Sequence, residues 1–318
     1  MNDSFLAADI GGTHARLALA DRSGGLSRIR TYPSAEYASG AVLVARYLLD
    51  EALSDLAGCC VAVAGPVTVG RGRLTNGQAV CDERELAAAV GSARALVIND
   101  FAAIGNALPS LGANALKTIG PELTPVVGTK AALGPGTGLG MGFVVPEGQG
   151  WRVLPSEGGH GSFAASDPLE AEILALLQQQ HGFVAWETVL CGPGLVNLYA
   201  AVCLVWGCAA EVALASEITA RALTADDPVC HQTLEIFCNL LGTAAGNLAL
   251  TVCATGGVYL AGGILPRIGD FLNTSQFRRR FEARGPLSAY VGAIPTWLVL
   301  EPDVGLLGAA AAYRRIYP

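Results

Sequence analysis

FLAADIGGTHARLALAD (5–21) and KAALGPGTGLGMGFVV (130–145) are two statements of one pattern. Each is an apolar strand, a turn containing Gly and Thr, and a second strand with alternating apolar residues. Glycine in such a turn permits positive φ and lets backbone N–H groups come close to a ligand. Phosphate is the usual guest of a nest of that kind. One such hairpin proves little, because glycine is also the default residue of tight turns. Two matched hairpins predict a duplicated fold with phosphates held between its halves.

The rest of the chain sets bounds on that reading. At 318 residues there is enough chain for one large or two medium domains, and 52% hydrophobic residues with 15% charged and 40 glycines fit a compact α/β enzyme rather than a disordered chain. A net charge of −7 argues against a nucleic-acid partner. The basic cluster in SQFRRRFEARG (275–285) reads as a solvated helix face. Nine cysteines, none in C-x-x-C spacing and odd in number, indicate neither a zinc site nor a disulfide framework and point to a reducing cytoplasm. The chain enters a strand almost at once, with no basic, signal-like segment before it. Ile236 to Pro266 carries no charge and is long enough to span a bilayer. Asn239, Asn247 and the pairs Gly256-Gly257 and Gly262-Gly263 divide it into a buried helix, a turn and the strand Val258–Ala261, so a membrane is not expected.

Along the chain, strands are predicted near 5–10, 16–20, 28–32, 59–64 and 95–98, with a helix over 36–56 and a helix after each of the later strands. Residues 107–128, punctuated by Pro and Gly, read as an irregular segment, a hinge or a domain boundary. The second hairpin then opens a more helical unit, with helices at 167–181, 194–206, 216–223 and 228–254. The strand 295–301 and the helix 303–315 close the chain, with Asp303 as the helix N-cap. That terminal helix is expected to return to the first domain, giving domains of 1–110 with 302–318, and of 111–301.

Several residues could do chemistry. Asn99-Asp100 follows a strand and precedes the apolar helix FAAIGNAL; this is an ordinary helix cap, or a carboxylate at the carboxyl end of a strand, where α/β sheets bind ligands. In LPSEGGHGSF (154–163), Glu157 and His160 flank two glycines and can converge on one polar ligand, or simply stay solvated. Glu187, after Trp186, would pass alone for a surface acid. In VYLAGGILPR (258–267), Gly262-Gly263 end a strand, as a plain connection or as a flat surface for a base or ribose.

Together the motifs resemble the bacterial glucokinases of the hexokinase/actin/heat-shock ATPase superfold. DIGGTHAR (9–16), VAVAGPV (61–67), LTN (74–76), VINDFAAI (97–104), GPGTGLG (134–140), SEGGH (156–160), ETVLCGPGLVNLY (187–199), GNLAL (246–250) and YLAGGI (259–264) run in that family's order across nearly the whole chain. The resemblance implies the two-lobed, ribonuclease H-like, actin-like ATPase fold with a duplicated mixed-sheet core, sugar in the central cleft and ATP across its mouth. It implies Asp100 as the base taking the proton from the sugar 6-hydroxyl, with Asn99, Glu157, His160 and Glu187 on the other hydroxyls. Gly11, Gly12 and Thr13 with Gly136, Thr137 and Gly138 would cradle phosphates, Gly262 and Gly263 would lie against adenosine, and Asp9 would face Mg²⁺ through water. It also implies glucose and ATP as substrates, a cytoplasmic role in glycolysis, and a homodimer. The chain departs from the family at His14, where Asn is usual, at Ser156, where Gly is usual, in GSFA after His160, and in lacking a Trp after Asn76. Nucleotide affinity and sugar selectivity are where those departures would act. A kinase for another hexose or amino sugar on the same frame is the alternative within enzymes. A sugar-sensing regulator is the alternative outside them, but the DNA-binding extension or basic face it needs is not visible.

Overall fold

The structure, a computed structural model, describes residues 4–75, 77–224 and 226–318. Asn76 of the LTN motif lies outside the described residues. The chain divides into two compact units: one holds the chain up to Gly112 with Gly142–Pro155 and Glu301–Pro318, the other Ala113–Met141 with Ser156–Leu300. Residues 142–155 thus group with the first unit, where the sequence reading put them in the second.

In the first unit, β1 (Phe5–Ile10), β2 (His14–Ala20), β3 (Leu26–Pro33), β4 (Cys59–Val63) and a later strand, Ala95–Asn99, form a sheet. β1 pairs antiparallel with β2 and parallel with β4, and β4 pairs parallel with Ala95–Asn99. FLAADI and CCVAV are apolar on both faces because both faces are covered. The period-two rule sorts them. Leu6, Ala8, Ile10, Val61 and Val63 enter one core with Leu43, Val44 and Tyr47 of α1 (Gly40–Asp50), whereas Phe5, Ala7 and Cys60 enter another with Leu306, Ala309 and Tyr313 of the C-terminal helix Val304–Ile316. The helix predicted over 36–56 is confined to α1, where Ser39 Oγ accepts from Val42 N–H as the cap.

Sequence reasoning did not foresee a small antiparallel sheet of β5 (Val67–Thr68), β6 (Arg71–Arg73) and β7 (Val80–Asp82); the helix expected between the strands 59–64 and 95–98 is α2 (Glu83–Val90). The strands of the small sheet are too short to carry a periodic signal. β8 (Ala95–Asn99) leads directly into α3 (Asp100–Ala107). A Cβ on Gly308 would fall 1.8 Å from the Ala103 carbonyl oxygen, so α3 and the C-terminal helix cross at a distance only glycine allows.

The second sheet uses β9 (Leu116–Thr118), β10 (Lys130–Pro135), β11 (Leu139–Glu147), β12 (Gly150–Ser156), and two later strands, Val258–Leu260 and Thr296–Val299. β9 lies inside the segment expected to be irregular; it pairs antiparallel with Thr296–Val299 as an edge strand. The helices are α4 (Pro168–His181), α5 (Gly192–Trp206), α6 (Ala215–Thr224) and α7 (Pro228–Thr251), followed by β13 (Val258–Leu260), three short helices α8 (Gly269–Thr274), α9 (Phe277–Glu282) and α10 (Ser288–Gly292), β14 (Thr296–Val299) and α11 (Val304–Ile316). The sheet order β12-β11-β10-β13-β14 repeats β3-β2-β1-β4-β8, with β9 added at the end, so the duplication extends from the hairpins to the sheets.

Two expectations are corrected by side-chain packing. The Arg278–Arg280 cluster is not simply a solvated face. Arg280 is mostly buried and pairs with Glu170 at 2.5 Å and Asp167 at 3.2 Å, while Arg278 pairs with Glu282 at 2.6 Å and donates to the Ile294 and Gly292 carbonyls. Charge in sequence was read as exposure, but here it offsets the buried Glu170. Asp303 stands at the N-cap position of α11 without capping it; its Oδ1 instead faces Arg16 Nη1 at 3.4 Å. The charge-free stretch 236–266 divides into α7, a turn and β13, and among the described residues no helix is long and apolar enough to cross a membrane.

Candidate active site

In the first unit, three parallel strands end in register, with Ile10 beside Val63 and Val63 beside Asn99. The Gly11–Thr13 turn and Asp100 therefore emerge at one carboxyl edge of the sheet, the edge at which α/β sheets take ligands. The turn is held by Gly11 N–H donating to the His14 carbonyl at 3.0 Å. It is also strapped from outside: Ser34 Oγ donates to the Gly11 carbonyl at 2.7 Å and Ser34 N–H to the Thr13 carbonyl at 3.0 Å. Ser34 is buried, and nothing in the sequence around it marked this role.

None of Gly11, Gly12, Gly136 and Gly138 lies at positive φ, which corrects the reason first assigned to them. At Gly138 the need is clearance, since a Cβ there would come 2.4 Å from Glu187 Oε2. Gly262 alone of the expected site glycines is left-handed, at φ +91°, where a Cβ would also strike the Pro135 carbonyl.

Asn99, not Asp100, caps α3. Its Oδ1 accepts from Phe101 N–H at 2.9 Å and Ala102 N–H at 3.1 Å, and Nδ2 donates to the Gly65 carbonyl at 3.2 Å. A carboxamide nitrogen has two protons, so one donor remains for a ligand. Asp100 is the first residue of the helix, with Oδ1 accepting from Phe101 N–H at 3.0 Å. The cap being filled by its neighbour, Asp100 is not needed for that structural task.

Asp9 sits on β1 across from Arg16. Burial pushes its carboxyl up to about 6, Arg16 opposes the rise and Asp303 adds to it. The first turn of α11 lies against it, for a Cβ on Gly305 would come 2.2 Å from Asp9 Oδ2. An ionised carboxylate under strain of this kind gains from a cation. Among the described residues no three His, Cys, Asp or Glu side chains cluster as a metal site. One carboxylate with the remaining ligands from water and phosphate is what Mg²⁺ prefers, so the residues present fit that ion.

In the second unit, Glu157 and His160 are exposed on a 3₁₀ turn, Gly158–His160. Ser156 explains its own presence: its Oγ accepts from Gly158 N–H at 3.0 Å and fixes the start of the turn. Glu187 N–H donates to the Gly159 carbonyl at 2.9 Å, which brings the third expected sugar residue beside the first two. The Gly136–Gly138 turn joins the same group, with Leu139 N–H donating to Glu187 Oε2 at 2.7 Å and Gly192 N–H to the Gly136 carbonyl at 2.9 Å. Ala261 N–H donates to the Leu133 carbonyl at 2.9 Å, which sets the Gly262-Gly263 pair at the same strand edge as the turn. Trp186 is buried and packs edge-on against Phe163, with ring centroids 5.3 Å apart.

The sequence model of the glucokinase family matches residues 6–316. The chain belongs to the glucokinase family. It is 43% identical to the glucokinase of Aromatoleum aromaticum over 311 residues, covering 96% of this chain and 93% of that one. Among solved structures it is similar to a glucokinase from an Antarctic psychrotroph, at 39% identity and a TM-score of 0.86 over 99% of this chain and 100% of the other. A glucokinase of the ROK family from Streptomyces griseus, solved with glucose and AMPPNP, shares the fold at 18% identity and a TM-score of 0.66, over 98% of this chain and 99% of that one. The fold class implied by the resemblance, a mixed α/β actin-like ATPase fold with a duplicated core, is the fold of these glucokinases.

Proposed function

We propose that the protein is an ATP-dependent glucokinase that transfers the γ-phosphoryl group of ATP to the 6-hydroxyl of glucose, giving glucose 6-phosphate and ADP. The observation that supports this most strongly is the chain-long match to glucokinases, together with Asn99 rather than Asp100 standing as the cap of α3. A sugar hydroxyl is a poor nucleophile at neutral pH, and a carboxylate within hydrogen-bond reach takes its proton as the oxygen attacks. Asp100 has that role here. Asn99, Glu157, His160 and Glu187 hold the remaining hydroxyls, a mixture of acceptors and donors suited to a neutral polyol. The turns Gly11–Thr13 and Gly136–Gly138 position the phosphates, and Gly262 with Gly263 forms the adenosine surface. Phosphoryl transfer is catalysed by positioning and charge neutralisation more than by covalent chemistry. Mg²⁺ carried in with ATP supplies that neutralisation, with Asp9 holding it through water.

We assign 1–110 with 302–318 to one domain and 111–301 to the other, apart from the 142–155 hairpin. The assembly is a homodimer and the setting is the cytoplasm, at the head of glycolysis. The reading is tested by ADP release with Mg-ATP and a panel of glucose, mannose, fructose and N-acetylglucosamine. Glucose should be preferred, and Asp100→Asn should lower kcat at least about a hundredfold with glucose binding retained. Turnover within a few-fold of wild type in that variant would reduce Asp100 to a helix-start residue, and preference for another sugar would favour the alternative kinase.

A further inference from the structure

Glu187 is held at both ends. Its main-chain N–H is tied to Gly159, within the turn that carries His160. Its carboxylate reaches the other way, where Oε2 accepts from Leu139 N–H at 2.7 Å, the first amide of β11 after the Gly136–Gly138 turn. The turn is then closed by Gly136 N–H donating to the Gly138 carbonyl at 2.8 Å. Cys191 Sγ donates to the Glu187 carbonyl at 3.0 Å and so fixes the backbone that presents the acid. Among the described residues no donor is bonded to Oε1.

We propose that Glu187 is a positioning residue for the nucleotide as well as a sugar ligand, so that one carboxylate couples the two substrates. Oε2 keeps the phosphate turn in its receptive shape, and Oε1 accepts from a sugar hydroxyl. Two consequences follow from the geometry. The Leu139 amide is committed to Glu187, which leaves the amides of Thr137 and Gly138 as the donors for phosphate. A carboxylate already oriented by Leu139 also loses less freedom when sugar binds, and one oriented by sugar holds the turn more firmly. The coupling is positive and, by linkage, equal in both directions. This inference rests on the kinase reading above.

The test uses calorimetric titration of the whole protein with glucose alone, with AMPPNP and Mg²⁺ alone, and with each in the presence of the other. Glu187→Ala should weaken AMPPNP binding without sugar by about tenfold, the scale of one lost hydrogen bond to a charged group. Glu187→Gln keeps an oxygen for Leu139 N–H, so AMPPNP affinity should return to within a few-fold of wild type while glucose binding stays weak. Gly138→Ala, in the phosphate turn, should displace Oε2 and weaken glucose binding with no nucleotide present. Hydrogen exchange at the Leu139 amide, which needs no ligand, should be faster in the Ala variant and not in the Gln variant. Unchanged AMPPNP affinity and unchanged Leu139 exchange in Glu187→Ala would overturn the proposal and leave Glu187 a sugar ligand only. A wild-type protein that binds neither probe, with Leu139 still protected, would overturn the kinase reading itself and the coupling with it.

Discussion

Replacing Asp9 with Asn should change how stability depends on pH, in a direction fixed by the site. In the fold the carboxyl titrates at about 6, against 3.8 for a free side chain. A gap of about two pH units at ~1.4 kcal/mol each makes the ionised group cost the fold on the order of 2–3 kcal/mol above neutrality. Between the two values the folded state binds more protons than the unfolded one, so stability falls as pH rises from about 4 to about 6 and is level beyond. Asparagine has the same shape and does not titrate. Any fixed cost of the amide is common to every pH, so the informative quantity is the change in the difference between variant and wild type. Melts without Mg²⁺ or nucleotide should show Asp9→Asn gaining about 2–3 kcal/mol on wild type between pH 4 and pH 7.5. A domain of this size would register that as several degrees in Tm. The variant should at the same time lose Mg²⁺-dependent turnover. A difference that stays constant with pH, or one in which wild type gains as pH rises through 6, would refute the account of Asp9 as a desolvated carboxylate.

Other outcomes follow from other residues. Glu157→Gln and His160→Ala should raise the glucose KM more than the ATP KM, since a site built around hydroxyls suffers when a partner is lost; equal glucose KM values would move the sugar site elsewhere. Gly308→Ala should destabilise the protein by about 1–3 kcal/mol and lower kcat, because α3 must shift from the C-terminal helix and Asp100 moves with it; an unchanged Tm would contradict the close crossing. Arg280→Ala should cost about 3–5 kcal/mol by leaving Glu170 buried without its partner, whereas a solvated arginine would cost almost nothing in the same melt. A chelator for Mg²⁺ should abolish turnover, while a zinc-selective one should leave it intact; loss with the latter would mean the cysteines hold metal.

Much of the fold was legible because the two hairpins carry their own signal, with apolar runs for buried parallel strands and glycine where the chain must turn. The strand repeat followed from that. The small β5–β7 sheet did not, since strands of two and three residues are shorter than any period that could reveal them. Charge misled at Arg278 and Arg280, because a sequence shows that a residue is charged but not that its partner, Glu170, lies buried beside it. At the candidate site, residue types singled out the loops around Asp100, Glu157 and Glu187. Two hydrogen bonds decided roles that types alone left open: Asn99 Oδ1 filling the helix cap beside Asp100, and Glu187 Oε2 engaging Leu139. Ser34, reaching Gly11 from a separate segment, had no local pattern to betray it.

The C-terminal helix has a consequence for how the chain is made. Phe5 stacks on Tyr313 with ring centroids 4.1 Å apart, and one whole face of the first sheet is covered by Leu306, Ala309 and Tyr313. The ribosome therefore finishes β1 to α3 long before it makes their cover, and at ordinary elongation rates the delay is roughly 10–40 s. Throughout that interval Phe5, Ala7, Ala18 and Cys60 present a bare apolar surface on the nascent chain. The first unit must wait for the second to be translated before it can bury itself, which makes this sheet face the natural place for a chaperone to act during synthesis.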